Sequence, residues 1–218
     1  MRQKRQRTER EPETPTGPRS STAMLDSWRN VPPVLRGARV TLREPCRSDA
    51  LALLSALATS EVARFIAPPP DSVKGFEQFI AEQRAGRSAG ASICFGVVPD
   101  GYQAPVGIFQ VRLLEPGFRV AEWGFALASE FWGEGLFYAA APLLLDWLFG
   151  TFETERLEAR SAITNGRGNG ALRKLGAVQE AVLRQSLLRH GEYLDQLLWT
   201  LTAERWRAQR PPRAFNVH

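Results

Sequence analysis

The sequence predicts an α/β (α+β) fold in which helices cover both faces of a mixed sheet. Short segments with two-residue alternation of apolar side chains predict strands, and a continuous apolar segment at residues 137–149 predicts a helix. Hairpin-linked strands come first along the chain, and strand–helix–strand units follow. This order indicates a mixed sheet, because hairpins join antiparallel strands whereas helical crossovers join parallel ones.

Seven strands are predicted. Arg39 to Arg43 alternates and opens the sheet, and Ala121, Trp123, Phe125 and Leu127 share one face of a later strand. Turn residues at Pro99-Asp100-Gly101 and at His190-Gly191 indicate two hairpins. The strands are expected at residues 39–43, 92–99, 106–113, 120–128, 157–163, 177–185 and 193–201.

Five helices are predicted between and after these strands. Asp49 is a candidate N-cap for the first, and the prolines Pro68 to Pro70 end any helix before them and mark a loop. Gly176 is a natural stop for the fourth. The helices are expected at residues 50–58, 74–84, 137–149, 169–175 and 203–209.

Composition is that of one ordinary globular domain. The chain has 218 residues, of which 44% are hydrophobic and 23% charged. The apolar segment from Tyr138 to Phe149 is too short for a membrane span and contains Pro142 and Asp146. Cys46 and Cys94 imply no disulfide framework, and no metal-ligand spacing stands out. We expect a cytoplasmic protein without a membrane partner or a metal.

Both ends of the chain are expected to be tails. Residues 1–30 are rich in Arg, Glu, Pro, Ser and Thr, and the first 20 carry six basic and three acidic residues, or +3 of the net charge of +5. Such a segment buries too little apolar surface to offset its ordering entropy, so we expect disorder. The alternative is an arm that tethers RNA or the ribosome. The domain itself is expected at residues 34–207, with a second tail at 208–218.

The segment from Trp132 to Phe137 joins a predicted strand to the long apolar helix. A glycine turn before a helix N-terminus can bind an anion, because the first amides of the helix are unpaired and carry the positive end of the dipole. Gly133 and Gly135 lack a Cβ and would let a phosphate approach the backbone. A plain tight turn is the alternative.

Four segments together resemble one family. They are ARVTLREPCRSDA from residue 38, AEWGFALASEFWGEGLFYAAAPLLLDWLF from residue 121, ERLEARSAITNGRGNGALRKLGA from residue 155 and HGEYLDQLLWTLTAERW from residue 190. Their content, order and spacing resemble the GCN5-related N-acetyltransferase (GNAT) superfamily, in particular the ribosomal-protein alanine and serine N-acetyltransferases. The resemblance runs from about Leu35 to Trp206.

The resemblance implies a GNAT fold, with a mostly antiparallel seven-stranded sheet and a gap where strands 4 and 5 splay apart. It implies acetyl-CoA as co-substrate, with the glycine loop on the pyrophosphate and the strand before it on the pantetheine arm. Asn165 matches an Asn near the thioester. The expected cofactor-binding residues are Phe125, Ala126, Leu127, Trp132, Gly133, Glu134, Gly135, Leu136, Phe137, Asn165 and Asn169.

The sequence departs from the family pattern at three places. Glu130 stands where Gln or Arg is common, and Pro142 lies inside the predicted helix, where a kink is expected unless it falls near the first turn. Gly168 stands where Ser is usual, which removes a hydroxyl near the expected thioester. Asn169 next to it is the expected substitute.

Acetyl transfer to an amine needs a group that takes the amine proton and a group that serves the leaving thiolate. Glu122 is the first candidate base, with an ion pair to Arg112 or Arg119 as the alternative. Glu158 on the next strand is a second candidate. Tyr138 is the nearest hydroxyl after the loop and is the candidate acid, with simple packing as the alternative.

We therefore expect an N-acetyltransferase in which an amine attacks directly in a ternary complex. A protein N-terminal amine is the substrate that the resemblance favours. A small-molecule amine, such as a polyamine or an aminoglycoside, is one alternative, and a non-catalytic CoA- or ribosome-binding module is another. The resemblance also allows a homodimer.

Overall fold

The computed structural model describes residues 27–189 and 191–209. Most of both predicted tails lies outside these residues, as does His190 in the expected hairpin turn. Within them, no helix has both the length and the apolar character that crossing a membrane requires.

The described residues form one mixed sheet of eight strands in the order β1-β2-β3-β4-β5-β6-β8-β7. All neighbouring strands are antiparallel except β5 and β6. The fold class is confirmed, but the strand count of seven is wrong. The strands are β1 (Leu35–Arg36), β2 (Val40–Arg43), β3 (Ser92–Pro99), β4 (Gly107–Leu113), β5 (Val120–Leu127), β6 (Arg156–Ala162), β7 (Val178–Arg189) and β8 (Glu192–Thr202).

The additional strand is β1, a two-residue edge segment that pairs with β2. Alternation cannot reveal a strand of two residues. Because β1 comes first, the strands predicted to splay, the fourth and fifth, are β5 and β6.

Six helices can be bounded in the described part of the chain. The four-residue α2 was not predicted; Thr59 caps it by accepting from the Val62 amide at 3.4 Å. Asp49 occupies the N-cap position of α1, as predicted, but its side chain makes no capping hydrogen bond there. The carboxylate instead accepts from the Cys46 amide at 2.8 Å and pairs with Arg43 at 2.7 Å. The helices are α1 (Ala50–Leu57), α2 (Ser60–Ala63), α3 (Val73–Ser88), α4 (Leu136–Thr151), α5 (Gly166–Lys174) and α6 (Ala203–Gln209).

The helices cover both faces of the sheet and bury a core on each. On one face α4 packs against the sheet; this helix is apolar on nearly all sides, and Leu144, Leu145 and Leu148 are fully buried. On the other face α1 and α3 cover β3, β4 and β5 around Leu53 and Phe76. Because helices hold the strands from both sides, the sheet can tolerate a local loss of pairing.

That loss occurs between β5 and β6. The two strands pair in parallel at only three positions, the last being Glu122 opposite Glu158. Beyond this pair β5 continues to Leu127 and β6 to Ala162 without bridging each other. The predicted splay is therefore present, and it opens a gap through the sheet.

One aromatic side chain from the segment predicted as a tail packs into the core. Residues 27–30 form a helical turn, and Trp28 is only 4% exposed. Its indole meets the rings of Phe118 and Phe152 edge to face, with centroids 5.5 and 5.4 Å apart. This one aromatic side chain, which lies in the segment predicted as a tail, fills the core beside α4.

We expect Trp28→Ala to lower the free energy of unfolding by about 3–5 kcal/mol, the usual cost of truncating a buried aromatic side chain. Urea denaturation measures this loss. Tyr193→Ala is the matched control, because that ring is 63% exposed and its removal should cost little. Equal losses in the two variants would show that Trp28 is not part of the core.

Candidate active site

Two cavities meet at the gap between β5 and β6. The loop-side cavity, of about 530 Å³, lies against the segment Trp132–Tyr138 and helix α5. The proline-side cavity, of about 500 Å³, lies against the segment Phe65–Pro70 and helix α3. Phe125, Asn165 and Gly168 border both cavities. The cavities are thus the two ends of one cleft that passes through the sheet.

The backbone of β5 offers free hydrogen-bonding groups to this cleft. The amide of Leu114 donates to the Val120 carbonyl, and the amide of Ala128 donates to the Val106 carbonyl. The backbone N–H and C=O groups of the even-numbered residues of β5 therefore point towards β4, and those of the odd-numbered residues point away from it. The backbone groups of Phe125 and Leu127 therefore face the gap. The backbone of Ala126 faces β4, opposite Ile108, so Ala126 borders the cleft with its side chain alone.

The glycine loop reaches the cleft with its amides exposed. Gly133 and Gly135 have φ of 87° and 75°, which only glycine adopts without strain. Gly135 is the N-cap of α4, and no side chain caps this helix end. The first-turn amides, including those of Leu136 and Phe137, are consequently available to an anion. The side chain of Leu136 itself is buried.

Two contacts hold this loop in place. The indole Nε1 of Trp132 donates to the Leu127 carbonyl at 2.9 Å, and Arg39 Nη2 donates to the Glu134 carbonyl at 3.4 Å. The acidic side chains of Glu130 and Glu134 are exposed and border neither cavity. The loop thus presents backbone donors to the cleft while its acids stay outside.

Basic residues of α5 complete the loop-side cavity, and sequence reasoning missed them. Arg167, Arg173 and Lys174 border this cavity, whereas no described Asp or Glu does. The guanidinium of Arg167 lies 5.3 Å from the Trp132 ring centroid, a cation–π contact that joins α5 to the loop. The signal was present, since Arg167 and Lys174 are seven residues apart and share a helix face.

Asn165 lies at the centre of the cleft but its side chain folds back on α5. Its Oδ1 accepts from the Gly168 amide at 2.9 Å and caps the helix. A Cβ on Gly168 would lie 2.5 Å from Asn165 Nδ2. The glycine at position 168 and the capping conformation of Asn165 therefore require each other.

Asn169 occupies a different place from the one predicted. It is 9% exposed and borders neither cavity. Its Nδ2 donates to the Ala162 carbonyl at 2.9 Å, and its Oδ1 accepts from Trp199 Nε1 at 2.9 Å. These bonds connect α5 to β6 and β8. They engage the side-chain amide of Asn169, which was expected to replace the serine hydroxyl that is absent at Gly168.

Glu122 borders the proline-side cavity and forms ion pairs there. Its Oε2 lies 2.9 Å from Arg112 Nη2 and 3.5 Å from Arg160 Nε. The pair with Arg112 was the alternative left open by the sequence. Glu158, the second candidate, pairs with Arg156 at 2.8 Å and borders neither cavity. Glu122 is the single carboxylate among the described residues that border the cleft.

Tyr138 borders the loop-side cavity from the first turn of α4. Its side chain is 38% exposed, and its ring meets Phe137 edge to face. Partial burial raises the pKa of the Tyr138 phenol, because desolvation disfavours the phenolate. The hydroxyl is therefore a proton donor and not a base at neutral pH.

Ser161 is a further polar group of the cleft that sequence reasoning missed. It lies on β6, borders the proline-side cavity and is 7% exposed. Its Oγ has no hydrogen-bond partner among the described residues. No group of three or more His, Cys, Asp or Glu side chains in the described ranges is placed to hold a metal ion.

Comparison with known proteins identifies the family. The family model described as "Acetyltransferase (GNAT) domain" matches residues 39–178, which include strands β5 and β6, the glycine loop and helix α5. The chain belongs to the GNAT acetyltransferase family. GNAT acetyltransferases take their acetyl group from acetyl-CoA, so the expected co-substrate is confirmed at the level of the family.

Among GNAT relatives, the chain is 25% identical over 174 residues to the "Putative ribosomal N-acetyltransferase YdaF" of Bacillus subtilis (strain 168), covering 78% of this chain and 94% of the relative. It is 23% identical over 118 residues to the "[Ribosomal protein uS5]-alanine N-acetyltransferase" of Escherichia coli (strain K12), covering 54% and 61%. The structure of Mycobacterium smegmatis RimJ in complex with CoA-disulfide superposes with a TM-score of 0.69 at 24% identity, covering 78% and 85%.

We expect Gly168→Ser, which introduces the residue usual in the family, to destabilise this protein. Its Cβ displaces the Asn165 cap, worth about 1 kcal/mol. Gly170→Ser is the matched control on the same helix, because a Cβ there meets nothing within 4 Å. By urea denaturation the first variant should be less stable than the second by about 1 kcal/mol, since both gain the same helix propensity. Equal stabilities would mean that Asn165 does not need Gly168.

Proposed function

We propose that this GNAT protein acetylates a protein N-terminal amine with acetyl-CoA, by direct attack in a ternary complex, and that residues 34–207 form the acetyltransferase domain. The observation that carries the proposal is the cleft through the sheet, with phosphate-binding features at one end and an apolar pocket with one carboxylate at the other. The names of the Bacillus and Escherichia relatives support the ribosomal-protein class of substrate.

The loop-side end suits the carrier. Its uncapped helix start and its three basic side chains can bind phosphates, and no described acid opposes them. The backbone groups of Phe125 and the amide of Leu127 can pair with the amide groups of an extended arm, as an added strand would. The carbonyl of Leu127 already accepts from Trp132 Nε1. We therefore assign binding of the carrier to the loop residues 132–137 and to these two positions of β5. Asn165 caps α5 through its side chain and also borders both cavities, between which the extended arm of the carrier would lie.

The proline-side end suits a short peptide better than a polycation. Its walls are apolar over Phe65–Pro70, Phe76 and Phe79. Its one carboxylate, Glu122, is already paired with two arginines. A polyamine or an aminoglycoside needs several unpaired acids to compensate its charges, whereas a peptide N-terminus brings one amine and an uncharged backbone.

The chemical roles follow from position. Glu122 faces the end where the amine enters, so we propose that it receives the amine proton, directly or through water, in competition with its arginine partners. Tyr138 lies at the other end, near the first turn of α4. Since its phenol stays protonated, we propose that it donates a proton to the leaving thiolate.

Calorimetry with acetyl-CoA and a panel of amines tests the proposal. Wild-type protein should bind acetyl-CoA and release free thiol with peptides that start with Ala or Ser, and not with spermidine or an aminoglycoside. We expect Gly135→Ala to weaken acetyl-CoA binding by about tenfold or more, because it strains the helix start at φ of 75°.

Gly101→Ala is the matched control for that variant. Gly101 has φ of 81° in a turn outside both cavities, so its substitution strains the backbone similarly without touching the cleft. It should keep the wild-type affinity. Turnover of spermidine in preference to every peptide would contradict the proposal and indicate a small-molecule amine as the substrate. Binding of acetyl-CoA without turnover of any amine would indicate a non-catalytic binding module.

We expect Tyr138→Phe to lower kcat by about 100-fold, the usual contribution of a general acid. Because burial raises the pKa of this phenol above its usual value near 10, the hydroxyl stays protonated from about pH 7 to 9. The ratio of wild-type to variant kcat should thus be constant across that range, with Tyr102→Phe unaffected. A ratio that falls as pH rises within this range would contradict the assignment.

A further inference from the structure

We propose that the Ser161 hydroxyl donates a hydrogen bond to the carbonyl oxygen of the acetyl thioester and stabilises the negative charge that develops there. The inference rests on the proposed function, since it supplies that reaction with a group that neither the glycine loop nor Glu122 provides. It is carried by the burial of Ser161, by its lack of a partner and by its register in the sheet.

The register places Ser161 directly across the gap from Phe125. The last bridged pair of β5 and β6 is Glu122 and Glu158. Phe125 and Ser161 each lie three residues beyond that pair, so they face each other where bridging has ceased. The unpaired stretch of the two strands therefore includes Phe125 and Ser161 on its two sides.

The side chain of Ser161 points into the covered side of the gap. Alternation along β6 puts it on the same face as Leu157 and Ala159, which are buried in the core beneath α4. Ser161 is 7% exposed, and its hydroxyl has no partner among the described residues, which is unusual because buried polar groups almost always find one. The partner that this position lacks is a hydrogen-bonding ligand in the cleft.

Position selects the acetyl carbonyl over the rest of the carrier. Ser161 borders the proline-side cavity, with Glu122, but not the loop-side cavity where phosphates would lie. The carbonyl carbon of the thioester must reach the proline side to meet an amine held near Glu122, while its sulfur stays towards the loop-side end that Tyr138 borders.

The reaction balances with Ser161 as a donor that keeps its proton. The amine nitrogen attacks the carbonyl carbon, a C–N bond forms, and the C=O electron pair moves to the oxygen that the Ser161 hydroxyl contacts. When the C=O bond re-forms, the C–S bond breaks and its electrons leave with sulfur. The nitrogen loses one proton towards Glu122 or water, and sulfur gains one from Tyr138 or water, giving an N-acetyl amide and free CoA thiol.

Ser161→Ala tests the inference in the full-length chain. A donor aimed at a developing oxyanion is worth about 100-fold or more in kcat, so kcat should fall by that order while the affinity for CoA, which lacks the acetyl group, stays unchanged. Ser161→Thr keeps the hydroxyl and should recover most of the activity. Thr154→Val is the matched control, because it removes another buried hydroxyl that has no partner among the described residues and borders neither cavity.

Two measurements separate the possible outcomes. A Ser161→Ala variant with wild-type kcat would overturn the inference, whether or not its affinities for CoA and acetyl-CoA are lowered equally. If the wild type binds acetyl-CoA but acetylates no amine, the proposed function fails while the inference remains open to test by calorimetry. Ser161→Ala should then lower the affinity for acetyl-CoA relative to CoA, and an unchanged ratio of the two affinities would refute it.

Discussion

The early end of pairing between β5 and β6 is the constraint on which the rest of the site depends. Pairing between β5 and β6 stops at Glu122 and Glu158. Beyond this point the backbone groups of β5 have no partner strand, and side chains of β6 such as Ser161 border the opening. Such groups are costly unless a ligand pairs with them. The helices on both faces hold this opening in place, since α4 and α5 cover one side and α1 and α3 the other.

The polarity of the cleft follows from what borders each end. Backbone donors and basic side chains collect at the start of α4, because a left-handed glycine turn aims the first helical amides inward. Apolar side chains and three consecutive prolines border the opposite end, where one carboxylate is flanked by Arg112 and Arg160. The two ends therefore suit the charged carrier and the short peptide of the proposed function, with Phe125 bordering both cavities.

Local sequence was sufficient where one residue type has one structural consequence. Gly133 and Gly135 predicted a turn before α4, and both adopt the positive φ that favours glycine.

Local sequence was insufficient where the outcome depends on partners that are distant along the chain. Asn169 looked available for the cofactor, but the sheet brings Trp199 and the Ala162 carbonyl close, and both hydrogen-bond to its side-chain amide. Trp28 stood alone in a polar segment, and its burial depends on Phe118 and Phe152, some 90 and 124 residues away. The ion pairs of Glu122 likewise depend on strand register.

Amide hydrogen exchange measured residue by residue by NMR, with and without acetyl-CoA, tests the central claim most directly. If the carrier lies in the gap, the amides of Phe125 and of residues 133–138 should exchange more slowly in its presence, while those of β2 and β3 should not change. Protection that spares Phe125 and the start of α4, or that appears only elsewhere in the chain, would contradict the account of a cleft built by unpaired strands.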